Sequence, residues 1–420
     1  MSRIALFMAM LLVLWAPVRT VLAAPESTAS NTTTLNRLTD FVRKVQERSP
    51  QIRALDAALD AATARFDAAG KPLYNPELEL DAENPGSRTI GISQTLDWAG
   101  KRDARSKVAD HALRAAAAEV ELARQALAAE LLKGLAEYST AADLNRLANE
   151  KMKLMQQFAD IAQQRQAAGD LDQVEFELAR LAALEASLEA ASLATRLGEA
   201  DSKLVALTSL TETSWPDLPM APPLSPAIST DTATLLQQHP ALRIRQFTAE
   251  SAKATTELRR REARPDPAVG LRLGRDADDT LTGLTFSMPL LIRNRFQAEI
   301  AEASALASQA RLDMAATRIE LASNIDASRT RYQLARSTWD HWQQQGETLL
   351  QRRGKLLTRL WQTGELGTTD YLVQLRQTLD TRSAAAELRG KLWRSWADWQ
   401  QASGTILQSL QIATPNTDTE

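Results

Sequence analysis

Long stretches of the sequence show the spacing of apolar positions that is typical of helices. Within residues 100–168 the larger apolar side chains from Val120 to Leu135 recur at spacings of four and seven among many alanines. This pattern predicts one helix of about 70 residues, and residues 294–363 predict a second one of similar length. Shorter helices are predicted over 51–72, 171–209, 241–264 and 368–409.

Four short stretches break the helical pattern, two in each half of the chain. Residues 77–83 and 88–96 partly alternate apolar and polar positions, and Asn84-Pro85-Gly86-Ser87 between them is a strong turn sequence. Residues 268–274 and 280–288 repeat the arrangement. We therefore predict four strands, arranged as two pairs.

The two halves of the chain share one order of elements: helix, strand, strand, long helix, helix. Four motifs recur in that order at offsets between 190 and 195 residues: Ser49-Pro50 at His239-Pro240, Asn75-Pro76 at Asp266-Pro267, Gly91-Ile92 at Gly283-Leu284, and Gly169-Asp170 at Gly364-Glu365. This duplication predicts a first repeat (24–214), a proline-rich linker (215–230) and a second repeat (231–411). Residues 31–34 and the tail 412–420 are expected to be disordered.

The first 23 residues have the pattern of a secretory signal peptide. Arg3 provides a positive start, and residues 4–15 are almost entirely apolar. Small residues near the end of the segment predict cleavage between Ala23 and Ala24. The apolar run is well short of the roughly 20 residues that a spanning helix needs, so an N-terminal membrane anchor is the weaker interpretation.

Composition excludes several classes of chemistry. With 49 basic and 52 acidic residues the net charge is −3, so no basic excess favours nucleic acid. The absence of cysteine excludes disulfides, thiolate metal sites and cysteine nucleophiles. The three histidines are far apart in sequence, and no nucleophile–base set or phosphate loop is present. We expect no enzymatic activity and no cofactor.

The element lengths suggest an architecture. A helix of 70 residues is about 105 Å long, and the helices of 23 and 40 residues sum to about 95 Å, so two short helices could lie end to end beside a long one. Four strands cannot close a membrane barrel, whereas three copies would supply twelve. The predicted fold is mainly α with a small β part: a homotrimer with a twelve-stranded β-barrel at one end and a long helical tube behind it.

Two Gly-centred turns, Ala168-Gly169-Asp170-Leu171 and Thr363-Gly364-Glu365-Leu366, carry a resemblance to a known family. Together with the duplicated plan and the helix lengths, they resemble the TolC family of outer-membrane efflux proteins. The segment from Ile92 to Arg102, in which Gly100-Lys101-Arg102 follows a strand containing Ser-Gln, is similar to the cobalt-zinc-cadmium resistance (CzcC-like) branch.

The resemblance implies a passive exit duct of a tripartite efflux system in the outer membrane of a Gram-negative bacterium, with a large periplasmic portion. The implied partners are two further copies of the chain, outer-membrane lipid, a periplasmic adaptor (membrane fusion) protein and an inner-membrane RND pump. Heavy-metal cations are the expected cargo. The alternatives are a duct for drugs or secreted substrates, and a periplasmic coiled-coil structural or adaptor protein.

The resemblance also assigns the ends of the long helices to the periplasmic tip. The implied adaptor contacts are Gly169, Leu171, Gly364 and Leu366. The implied pore constriction consists of Asp172, Glu175, Trp361 and Asp370. Leu366 stands where the family has a basic residue, so the family's salt-bridge latch is not implied for this chain.

Three further features have simple structural interpretations. Asp170, with Gln173 three residues later, predicts a helix N-cap with a capping box. Glu175 and Asp370, repeated around a threefold axis, would crowd six carboxylates into the aperture and favour cations. Trp393, Trp396 and Trp399 are expected to be buried against the linker or neighbouring helices, with a binding surface as the alternative.

Overall fold

The computed structural model describes residues 26–83, 87–210, 215–276, 279–290, 292–363 and 365–412. The predicted signal peptide, its cleavage site at Ala23 and Ala24, and Gly364 lie outside the described residues. So does the predicted tail, except for its first residue.

The chain is mainly helical and contains one antiparallel sheet. Its elements in chain order are α1 (Glu26–Arg48), α2 (Pro50–Ala69), β1 (Glu77–Glu83), β2 (Ser87–Thr95), α3 (Lys101–Ala168), α4 (Gln173–Thr208), a 3₁₀ turn (Pro226–Ser229), α5 (Thr232–Gln238), α6 (Pro240–Glu262), β3 (Ala268–Asp276), β4 (Asp279–Ser287), α7 (Gln297–His341), a π turn (Trp342–Gly346), α8 (Glu347–Gln362), α9 (Thr368–Ser403) and α10 (Ile406–Ser409). Within these ranges, no helix is both long enough and apolar enough to cross a membrane.

The predicted helices are present with two corrections to their continuity. The helix predicted over 294–363 is interrupted by the π turn Trp342–Gly346. The helix predicted over 368–409 ends at Ser403, because Gly404 takes a left-handed conformation (φ 71°) beside His239, where a Cβ atom would lie 3.1 Å from the imidazole ring.

The expectation of disorder at residues 31–34 was wrong, because they belong to helix α1. The apolar positions that anchor this helix come later, at Leu38, Phe41, Val42 and Val45, all of which are buried. Their spacing of three and four is helical, and the polar threonine run precedes them on the same helix.

The two strand pairs join into one sheet with the order β1-β2-β3-β4. All neighbours are antiparallel, and the predicted strand positions are correct to within two residues. The central pair, β2 with β3, connects the two halves of the chain, with Ile92 opposite Leu271. The sheet is therefore continuous across the duplication.

The two faces of the sheet differ in chemistry. Alternate residues point to opposite faces of a strand, and one face carries apolar side chains that are largely exposed, including Leu80 (70%) and Leu284 (84%). The opposite face carries carboxylates, small residues and Arg272, with Leu281 near the turn as its apolar exception. The apolar face consists of Leu78, Leu80, Ile90, Ile92, Val269, Leu271, Leu273, Leu284 and Phe286.

Helix α3 is the structural axis of the chain. Its 68 residues span about 102 Å, and it contacts α2, α4, α6 and α9 along that length. Small residues permit close approach: Gly134 leaves room for Leu204 of α4, which a Cβ atom at this position would meet at 2.9 Å. The sheet lies at the first end of α3, and the turns at Gly169 and Leu366 lie at the other.

The main core lies around the middle of α3. Leu131 and Leu135 pack there with Trp393 and Trp396 of α9, all nearly inaccessible to solvent. Trp393 donates its indole N–H to the carbonyl of Pro219 in the predicted linker, at 3.0 Å. The prediction that these tryptophans are buried against the linker and the neighbouring helices is confirmed.

Candidate functional site

The junction between sheet and helices is held by a buried ion pair. Lys101 Nζ lies 2.8 Å from Asp266 Oδ2, with side-chain exposures of 11% and 3%. The hydroxyl of Tyr74 donates to the same carboxylate oxygen at 2.7 Å. This hydrogen bond is the largest of the effects that raise the pKa of Tyr74 to about 12.

The residues before Lys101 shape the start of α3. Asp97 accepts hydrogen bonds from the backbone N–H groups of Lys101 and Arg102, at 2.7 and 2.8 Å. Gly100 has φ +68°, which favours glycine, and Arg261 donates to its carbonyl at 2.8 Å. The Gly-Lys-Arg segment that carried the family resemblance is thus a joint between the two halves. Its partners in the second half could not be found from spacing alone.

Residues from both Gly-centred segments lie in one apolar cluster at the other end of α3. We call this group the turn cluster; its buried members are Phe158, Ala162, Ala179, Leu357 and Tyr371. Leu171 and Leu366 are partly buried and pack against it. The rings of Phe158 and Tyr371 stack with centroids 6.1 Å apart. The structure therefore brings both predicted contact leucines to one place.

The predicted N-cap of α4 was wrong by two residues. Asp172, not Asp170, precedes the helix, and its carboxylate accepts the N–H of Glu175 at 2.7 Å. Asp170 follows the left-handed Gly169 (φ 84°), and its N–H bonds to the carbonyl of Arg165. That bond completes the C-terminal turn of α3, so the start of α4 moves two residues along.

The predicted constriction residues lie at the ends of three helices. Glu175, which is half-buried, and Asp370, which is exposed, are in the first turns of α4 and α9. Neither forms an ion pair with the side chains that the structure describes. Trp361 belongs to the last turn of α8, and its side chain lies outside the described part.

The polar face of the sheet carries a charge cluster that sequence analysis missed. Arg272 on β3 reaches Glu79 (3.5 Å) and Asp81 (3.2 Å) on β1, two strands away. Gly91 lies between them on β2 and leaves the space open. Glu79 also accepts a hydrogen bond from Ser93 at 2.9 Å. Among the described residues, no group of three or more His, Asp or Glu side chains could hold a metal ion.

Part of the chain matches a known protein family. Residues 41–210 match the family model described as Outer membrane efflux protein. This part of the chain is thus similar to outer-membrane efflux proteins.

The chain is also similar to a metal-resistance protein. The nickel-cobalt-cadmium resistance protein NccC of Alcaligenes xylosoxydans xylosoxydans is 29% identical over 282 residues, which cover 61% of this chain. The match spans 60% of the relative's own length.

Solved structures share the fold. The outer-membrane channel OprN matches with a TM-score of 0.73 at 16% identity, over 89% of this chain and 92% of OprN. The open state of the MtrE outer-membrane channel of Neisseria gonorrhoeae matches with a TM-score of 0.72 at 16% identity, over 90% and 91%. The mainly helical chain with its small antiparallel sheet thus has the fold of TolC-type channels.

Proposed function

We propose that this protein is the outer-membrane exit channel of a tripartite efflux system for heavy-metal cations. Three copies form a twelve-stranded barrel that continues into a periplasmic helical tunnel. The tunnel docks onto a periplasmic adaptor and an inner-membrane RND pump, which supplies the energy. The channel itself conducts passively.

The sheet carries this proposal. One of its faces exposes a continuous apolar surface around Leu80 and Leu284, which suits lipid. The other face presents Glu77, Glu79 and Asp81 with small residues, which suits a water-filled lumen. Alternation of apolar outward and polar inward residues is the pattern of outer-membrane strands.

The helices support the same architecture. At about 102 Å, α3 separates the sheet from the turn cluster by far more than a membrane's thickness. A sheet in the outer membrane would therefore leave Leu171 and Leu366 deep in the periplasm. That position suits contact with an adaptor.

The proposed cargo rests on the negative charge of the sheet and of the turns, and on sequence similarity to NccC. The relative NccC is named for nickel, cobalt and cadmium resistance. On the polar face of this sheet, Glu77, Glu79 and Asp81 provide three carboxylates and Arg272 provides one positive charge, so these four residues are negative in sum. At the other end, Glu175 and Asp370 would add six carboxylates around a threefold axis. Negative rings of this kind concentrate cations in a pore.

Deletion of the gene and complementation with the full chain test the proposal. Loss of the protein should raise cellular nickel, cobalt or cadmium and lower the growth-inhibiting metal concentration, and the chain should be recovered from outer membranes as a trimer. Recovery in the soluble periplasmic fraction would instead support a coiled-coil scaffold or adaptor. Unchanged metal content with increased drug sensitivity would support a drug duct.

A further inference from the structure

Two arginines lie at one end of the apolar face of the sheet. Arg88 on β2 is directly opposite Arg275 on β3, and both side chains are exposed. Two residues further along the strands, Ile90 and Leu273 form the next pair on the same face. The arginines occupy the end at which β1 connects to β2 and β3 connects to β4, which is the end farther from the helices.

The arginine pair shares its face with no carboxylate of the described strands. Its neighbours in the same row are Ala82 on β1 and Thr280 on β4. Asp81 lies on the opposite face, where it pairs with Arg272. Like charges directly opposite each other destabilise a strand pair. An anion held between the two guanidinium groups would remove that repulsion.

A groove of about 490 Å³ lies beside the arginine pair. Both arginines line it, together with the apolar side chains of Leu80, Ile90 and Leu273. These three side chains are at least half exposed, so the groove opens to the surroundings of the sheet. One end of the groove is cationic and the remainder is apolar. This arrangement complements an amphiphile that has an anionic head and a hydrocarbon tail.

The position of the arginine pair along the strands indicates which layer of lipid it meets. Arg88 is separated from the exposed Leu96, just after β2, by about 27 Å along the strand. Tilt would reduce this to about 20 Å of membrane depth, close to an apolar band of about 25 Å. With the helices in the periplasm, the arginines would lie at the outer surface, where lipid-facing charges are tolerated.

We propose that Arg88 and Arg275 bind a phosphate group of lipid A, the phosphorylated glycolipid of the outer leaflet, and that one of its acyl chains lies in the groove over Ile90 and Leu273. This proposal rests on the proposed outer-membrane channel and adds a lipid site to it. Guanidinium groups suit phosphate because their N–H donors can bind two oxygens at once. Since β2 and β3 are the central strands of the sheet, the arginine pair lies within one copy of the chain.

Native mass spectrometry of the full chain in detergent, with increasing amounts of lipid A, tests this site. Arg88→Gln with Arg275→Gln should weaken lipid A binding by about tenfold or more, because charged hydrogen bonds are lost. The matched control, Arg53→Gln with Arg65→Gln, removes the same charge from exposed positions of α2 and should bind as the natural protein does. Dephosphorylated lipid A and phosphatidylglycerol should each bind the natural protein about tenfold more weakly than lipid A.

The same spectra report the oligomer, so failure of the lipid site is distinguishable from failure of the channel. A trimer from outer membranes that binds no lipid A, or binds it equally in the Arg88 and Arg275 variant, overturns the site and leaves the channel proposal standing. Equal binding of phosphatidylglycerol and lipid A overturns the assignment to the outer-leaflet lipid. Recovery of the natural chain as a soluble periplasmic monomer overturns the channel, and the lipid site with it.

Discussion

Lys101 and Asp266 are 165 residues apart in sequence and 2.8 Å apart in space. The first residue of the longest helix is thereby fixed to the segment that leads into β3 in the other half of the chain. Both side chains are almost fully buried. The sheet and the helices consequently share one rigid joint at the point where they meet.

Replacing one partner of this pair should be more harmful than replacing both. Lys101→Met leaves the Asp266 carboxylate buried without its cation, which should lower the free energy of unfolding by about 3–5 kcal/mol. The double variant Lys101→Met with Asp266→Asn should recover much of that loss. Denaturant unfolding in detergent measures both, and equal losses in the two variants would contradict the proposed role of the pair.

Titration of Tyr74 should make the free energy of unfolding depend on pH in the alkaline range. The hydrogen bond to Asp266 raises its pKa from 10 to about 12, so the fold favours the protonated phenol. This contribution is complete below pH 10 and is lost as pH rises through 12. In Tyr74→Phe, the fall in stability between these values should be smaller. The difference in tyrosinate absorbance between the two proteins locates the titration.

Titration of His239 should make the free energy of unfolding depend on pH in the mildly acidic range. The side chain is 3% exposed, and its Nδ1 accepts the N–H of Ala241 at the start of α6. Burial lowers its pKa below the ordinary 6.5. Its contribution is therefore complete above pH 6.5 and is lost as pH falls through the folded-state value. His239→Asn retains a capping oxygen without this titration, so its unfolding midpoint should fall less between pH 7 and 5.

Two helical glycines should respond to alanine with opposite sign. At Gly390 of α9, an added methyl group would collide with the hydroxyl of Thr140, so Gly390→Ala should cost about 1–3 kcal/mol. At Gly198 of α4, a Cβ atom meets nothing within 4 Å, so Gly198→Ala should stabilise by about 0.5–1 kcal/mol. Thermal unfolding of the two variants side by side provides the comparison.

Ion selectivity tests whether Glu175 and Asp370 line the pore. In planar bilayers, the natural channel should prefer cations, and Glu175→Gln with Asp370→Asn should clearly reduce that preference. Asp40→Asn on α1, far from the turns in sequence, is a matched exposed control. If the ion selectivity of the double variant equals that of the natural protein, these two carboxylates do not line the pore.

The strands and the buried tryptophans were predictable from local sequence, because alternation, turn residues and helical spacing all act between neighbouring positions. The sequence Asn84-Pro85-Gly86-Ser87 favours a turn between β1 and β2, and the spacing of Trp393, Trp396 and Trp399 places them on one helical face. Pairing between distant segments has no such local signal. The contacts of Lys101 and Arg272, each with a carboxylate in the other half, became visible only when the two halves were brought together.

Helix α1 and the exact start of α4 were missed for related reasons. The Asn-Thr-Thr-Thr segment at 31–34 has low helix propensity, and packing of Leu38 and Val42 against the main core outweighs it. At Asp170, two carboxylates two residues apart both fit the N-cap pattern. The left-handed backbone of Gly169 decides between them by using Asp170 to finish the preceding helix.

The exposed apolar face of the sheet matters before the protein reaches its destination. Side chains such as Leu80 and Leu284, at 70% and 84% exposure, would face water in a newly exported copy. Exposed apolar surface of this kind promotes aggregation in water. A chaperone that covers this face until the sheet is embedded or paired would prevent such aggregation in an aqueous compartment.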